Sequence, residues 1–202
     1  MELRNNNSVK IAGKIAKELE FSHKTKNESF YETEILSRRE SGTLDAIPVL
    51  VSEYLVDVSE VTAGEYVEID GSYRSFNAKE LDKVKVRLEV FAQKIEFLNK
   101  KADENIIEFD GYICKKPLYR ETPLGRKITD LCIAVNRGYG KCDYIPCICW
   151  GRFARCAERL DVGTHLKLVG RIQSRTYEKK ISETEVEKRV AYEVSIRELE
   201  VM

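Results

Sequence analysis

A chain of 202 residues is long enough for one large domain or two small ones. Hydrophobic residues make up 43% and charged residues 34%, the balance of a globular chain rather than a disordered one. The 34 basic and 34 acidic residues cancel, so bulk charge points to no nucleic-acid partner, and any basic footprint must be local. No stretch approaches the roughly 18 consecutive apolar residues of a membrane span, and no membrane partner is expected. The opening Met1–Asn7 has no apolar h-region, so no secretory signal is expected either.

Dividing the charges shows what the total hides. Residues 1–100 hold 15 Lys and Arg against 18 Asp and Glu, a net of −3. Residues 101–202 hold 19 against 16, a net of +3. The six cysteines, at 114, 132, 142, 147, 149 and 156, all fall in the second half. A secreted disulfide scaffold would be shorter and would spread its cysteines along the chain. Reduced thiols and a cytoplasmic location are the expectation.

The chain also resembles itself. Gly13, Gly42 and Ile47-Pro48 recur 98 residues later as Gly111, Gly140 and Ile145-Pro146. Gly64, Gly71 and Ser75 recur 99 later as Gly163, Gly170 and Ser174. Farther on the offset is 104, pairing Glu89, Ile95 and Glu96 with Glu193, Leu199 and Glu200. Two copies of one fold are implied, over 1–98 and 105–202, with about five extra residues in a loop between Ser174 and Tyr192. The polar run Asn99 to Glu104 is the natural linker.

In chain order, the first copy follows the plan of the second, with a short helical piece around Tyr54 to Val58. The second copy shows the plan more clearly. Ile106 to Cys114 reads as a first strand and Ile128 to Asn136 as a second. Tyr144 to Trp150 reads as a third, with Ile145, Cys147 and Cys149 on one face and Tyr144, Pro146, Ile148 and Trp150 on the other. Phe153, Cys156, Ala157 and Leu160 recur at helical spacing, and the helix closes at Asp161-Val162-Gly163. His165 to Gly170 makes a fourth strand and Arg189 to Met202 a fifth. The order predicts an all-β chain of two tandem OB-fold barrels, each five-stranded with a short helix between strands 3 and 4.

An ordered series in the second copy carries a family resemblance. Gly111-Tyr112-Ile113 leads through Thr122-Pro123-Leu124-Gly125 to Ala134-Val135-Asn136-Arg137. Trp150-Gly151-Arg152-Phe153-Ala154 follows, then Val162-Gly163 and the run Val169 to Arg175. The series resembles the bacterial single-stranded DNA-binding proteins and the related primosomal replication protein B, over nearly all of 105–202. In the first copy Ser52-Glu53 stands where Trp150-Gly151 falls, and nothing resembles Thr-Pro-x-Gly. Its membership rests on the repeat.

The resemblance implies sequence-independent binding of single-stranded DNA in replication, repair or recombination. That chemistry needs exposed aromatic faces for the bases and flanking cations for the phosphates. Tyr139, Tyr144, Trp150 and Tyr177 match positions where the family places stacking or large apolar residues. Arg126, Lys127, Arg137, Arg152 and Arg175 lie near them in loops or at strand ends. Core packing remains open for Trp150 and a plain turn role for Tyr139, while Arg38 and Arg39 look like a solvated strand end. The chain stops at Met202, directly after the last strand, so recruitment through the family's acidic tail is not expected. Family members place four OB folds around one strand, so a homodimer is expected. An adaptor that binds replication or primosome proteins, with weak DNA affinity, is the alternative.

Other chemistries find little support. The central cysteines alternate inward along a strand, and Cys156 falls on the apolar helix stripe, so they read as small hydrophobes rather than zinc ligands. No phosphate loop, paired-carboxylate motif or nucleophile elbow is present, so neither catalysis nor a cofactor is expected.

Overall fold

Isoleucine and valine alternate with polar residues along most of the chain, which favours half-buried strands over helices. A computed structural model describes residues 6–80, 83–122, 124–180 and 186–202, the side chains of 78–80, 83–85, 139 and 180 excepted. Pro123 of the Thr-Pro-x-Gly element and residues 181–185 of the expected loop lie outside the described residues. The first set of strands is β1 (Asn7–Ile15), β2 (Glu20–Lys24), β3 (Ser29–Arg38), β4 (Leu44–Ser52), β5 (Tyr66–Glu80) and β6 (Lys83–Leu98). The second is β7 (Glu104–Ile113), β8 (Leu118–Glu121), β9 (Lys127–Arg137), β10 (Lys141–Trp150), β11 (His165–Lys180) and β12 (Val186–Val201). One α-helix, α1 (Gly151–Ala157), lies between β10 and β11, and a single 3-10 turn, Val58–Glu60, stands at the same place in the first set. The chain is all-β.

Among the described residues the strands form one sheet in the order β2-β3-β4-β6-β5-β1-β7-β11-β12-β10-β9-β8. Each set also pairs back on itself. β1 meets β3 and β4 runs parallel to β6, while β7 meets β9 and β10 runs parallel to β12. Closure requires close backbone approach, and Gly13 and Gly111 supply it. A Cβ at either would run into the carbonyl oxygen of Leu36 or of Ala134. Ile11, Ile35, Ile47 and Ile69 fill the first interior, and Ile107, Ile133, Ile145 and Leu166 the second.

Antiparallel pairing of β1 with β7 joins the two sets. Its register runs from Asn7 opposite Phe109 to Ala12 opposite Glu104 and sets Val9 opposite Ile107. Val9 and Ile107 are repeat-equivalent, so the junction is pseudo-symmetric. The two asparagines act alike at the bulges that follow Asp70 and Val169. Asn7 exchanges hydrogen bonds of 2.7 and 2.9 Å with the backbone of Tyr73, and Asn105 exchanges bonds of 2.8 and 2.9 Å with that of Ile172.

Three expectations need correction. Among the described residues each set has six strands rather than five, because β2 and β8 are short, mostly exposed edge strands without the alternation that marks a buried face. The residues expected to form a loop after Ser174 instead continue β11 and β12 as a hairpin arm, paired as far as Lys180 opposite Val186. In α1 the inward residues are Ala154 and Ala157, and Cys156 is exposed rather than on the apolar stripe.

Candidate nucleic-acid interface

Strands β9 and β10 carry most of the sequence-predicted residues. Trp150 ends β10 opposite Ile128, and its indole N–H donates to the Ser195 hydroxyl on β12 at 3.1 Å. The edge of the ring is fixed while the side chain stays partly exposed. Arg126 and Lys127, both exposed, lead into β9 one step from Ile128, and Arg152 projects from the first turn of α1. The guanidinium of Arg152 sits 4.8 Å from the centre of the Phe153 ring. These four residues gather at one end of the β9–β10 pair.

Tyr144 lies six residues earlier on the same face of β10, about 20 Å away along an extended strand. It is 52% exposed, and its backbone N–H donates to the Ser75 hydroxyl of the first copy. Arg175 and Tyr177 project from the hairpin arm of β11, with the guanidinium 5.7 Å from the ring centre. Tyr139 belongs to a second 3-10 turn, Gly138–Gly140, and its side chain lies outside the described residues.

Arg137 is drawn elsewhere. It lies 3.6 Å from the buried carboxylate of Asp143, and its guanidinium stands 5.9 Å from the ring centre of Phe76 in the first copy. Asp143 also accepts from the Arg74 guanidinium at 3.0 Å and from the Ser75 backbone N–H at 2.8 Å. The mirror arrangement uses Asp45, which accepts from Arg39 at 2.8 and 2.6 Å and from the Ser174 N–H and hydroxyl at 2.8 and 2.9 Å. Arg39 is therefore no solvated strand end: it also donates to the Ser174 carbonyl at 2.6 Å. Burial alone would raise the pKa of Asp45, but Arg39 and Ser174 outweigh it and hold the carboxyl below its ordinary value.

The cysteines are free thiols. Burial pushes Cys149 up to about 12 and Cys132 likewise, the latter helped by its neighbour Cys114, so both are neutral and unreactive at ordinary pH. Among the described residues no group of three or more His, Cys, Asp or Glu is placed to hold a metal ion. No helix among them is long and apolar enough to cross a membrane.

The first copy offers aromatics that motif reading passed over. Tyr54 is 70% exposed two residues beyond Ser52, and Phe21 stands edge-on to Tyr31 with ring centres 5.9 Å apart. Ser52 itself is buried and donates to Glu28. Tyr54 lacks a family motif around it, and its nearness to the Ser52 position is the one signal that could have singled it out.

Comparison with known proteins falls on the same half. Residues 105–202 match the model of the Single-strand binding protein family. Single-stranded DNA-binding protein 2 of Listeria innocua is 34% identical over 93 residues, which cover 41% of this chain and 58% of that protein. The match thus spans little more than half of that relative's length. The crystal structure of the wild-type single-stranded DNA binding protein from Thermus aquaticus superimposes with a TM-score of 0.76 at 18% identity, covering 97% of this chain and 92% of that one. A deletion mutant of the Thermus protein gives 0.72 at 19% identity, covering 97% and 94%. This likeness extends across both copies and shows the shared OB-type fold. Its second half is thus similar to the single-strand binding protein family.

Proposed function

We propose that the chain binds single-stranded DNA, without catalysis and without overall sequence preference, in replication, repair or recombination. The observation that carries this reading is Trp150, pinned at its N–H by Ser195 and flanked by Arg126, Lys127 and Arg152, within the half that matches the family. A fixed aromatic face among cations suits base stacking beside phosphate contact. In this reading residues 1–98 and 105–202 are two OB domains, and a homodimer brings four of them around one strand. Arg137 contributes to joining the copies rather than to binding phosphate.

Titration with oligo(dT), followed by Trp150 fluorescence at several salt concentrations, tests the reading. Strong quenching, affinity falling steeply with salt, and a loss of about 1–3 kcal/mol in a folded Trp150→Ala variant are expected. Unchanged emission together with feeble, salt-insensitive binding would favour a protein-interaction adaptor.

A further inference from the structure

A cleft opens between the two copies on the side where repeat-equivalent prolines, Pro48 and Pro146, both line it. The second copy contributes Tyr177 and Tyr192 to its walls, and the first contributes Glu89. Glu89 is 6% exposed, and its Oε2 has no hydrogen-bond donor among the described residues. A buried orphan acceptor of this kind calls for an explanation.

The repeat sharpens the point. Glu193 occupies the equivalent place in the second copy, where Gln173 on the neighbouring strand donates to its carboxylate at 2.9 Å. Opposite Glu89 the corresponding residue is Arg74, whose guanidinium is turned to Asp143 instead. Other charged groups around the cleft do not supply the missing bond. Arg87 on β6 pairs with Glu32 on β3 at 2.8 Å, Lys17 pairs with Glu20, and Arg189 on β12 pairs with Glu187. Glu34 on β3 also lines the cleft and is a further acceptor.

We propose that this cleft takes one guanine of the bound strand, with Tyr177 against the base and the Glu89 carboxylate accepting from the guanine N1–H and N2 amino group. The inference rests on the single-strand-binding function proposed above. Guanine is the base whose pairing edge presents two adjacent donors. Adenine and cytosine each set an amino group beside an acceptor nitrogen, and thymine sets its N–H between two carbonyls. A carboxylate, which only accepts, therefore suits guanine. One such position would add a local preference to binding that elsewhere tolerates any base.

Burial, and then the nearby Glu32 charge, raise the Glu89 pKa to about 7 against the smaller opposing pull of Arg87. Guanine binding must therefore release the Glu89 proton below that pH, and the preference should strengthen as pH rises from 6 to 8. The full chain is titrated with oligo(dT) carrying dG at every third position and, as the purine control, with oligo(dT) carrying dA there. Wild-type protein at pH 8 should favour the dG strand by roughly fivefold or more, and by less at pH 6. Glu89→Gln, which replaces one acceptor with a donor, should bind plain oligo(dT) as wild type does but lose the preference and its pH dependence. Equal affinities in wild type at pH 8, or a preference that survives Glu89→Gln, would overturn the inference. Failure to bind oligo(dT) at all would instead overturn the single-strand reading, and this inference with it.

Discussion

Glu89 leaves a trace in stability that does not depend on any ligand. Its carboxyl is held at about 7 in the folded chain, against an ordinary value of 4.5 once unfolded. Between those values the unfolded state gives up its proton while the folded state keeps it. The unfolded state then binds fewer protons, so stability falls as pH rises from 4.5 to 7 and levels off above. The contribution is at most about 3 kcal/mol, reduced by whatever solvent reaches the group. Glu89→Gln should flatten this part of the profile and leave the protein more stable than wild type at pH 8, by thermal denaturation. A variant with the wild-type slope between pH 5 and 7 would show that Glu89 ionises normally. Trp150 presents the opposite case, since its one polar atom is satisfied and nothing opposes its burial there except the exposed face.

The two carboxylate clasps act at the level of elements. Asp45 ties the turn between β3 and β4 to β11, and Asp143 ties the start of β10 to β5. Both carboxylates are fully buried and the arginine side chains facing them are mostly buried, so removing either carboxylate leaves those guanidinium charges largely uncompensated. Asp143→Ala should therefore destabilise the protein by about 3–5 kcal/mol in denaturant unfolding. A cost below about 1 kcal/mol would mean that Arg74 and Arg137 readily find water. These clasps mark the boundary of what the sequence revealed. The alternating strands of the core were legible because burial on one face leaves a period of two, as in Tyr144 to Trp150. The hairpin arm beyond Ser174 was not, since Arg175, Thr176, Glu178 and Lys179 are all exposed and show no such period. Arg39 and Arg137 looked like free cations because their clasps are completed by residues of the other copy, Ser174 and Phe76 among them. Glu89 lay within the repeat, yet only the turn of Arg74 toward Asp143 leaves it unpaired.

At the scale of the whole molecule, the β1–β7 junction makes one sheet of two copies that carry opposite charge. Residues 1–100 are net −3 and residues 101–202 net +3, and the cations near Trp150 are exposed. Each phosphate contact on a single strand releases counterions and steepens the salt dependence by about 0.7 in logarithmic slope. Lys127 and Arg152 flank Trp150, so replacing both with glutamine should lower that slope by about 1.4 on oligo(dT). Lys24 and Lys26 offer a demanding control, because they are exposed in the first copy close to Phe21 and His23, where aromatic rings are also available. If the second copy makes most of the phosphate contacts, glutamine at Lys24 and Lys26 should change the slope by less than half as much. Both double variants keep the clasps intact, so a difference between them reports contacts with the strand rather than loss of the fold. Equal drops in slope would mean that both copies track the phosphate backbone alike, with Phe21 and Tyr54 serving the first as Trp150 serves the second.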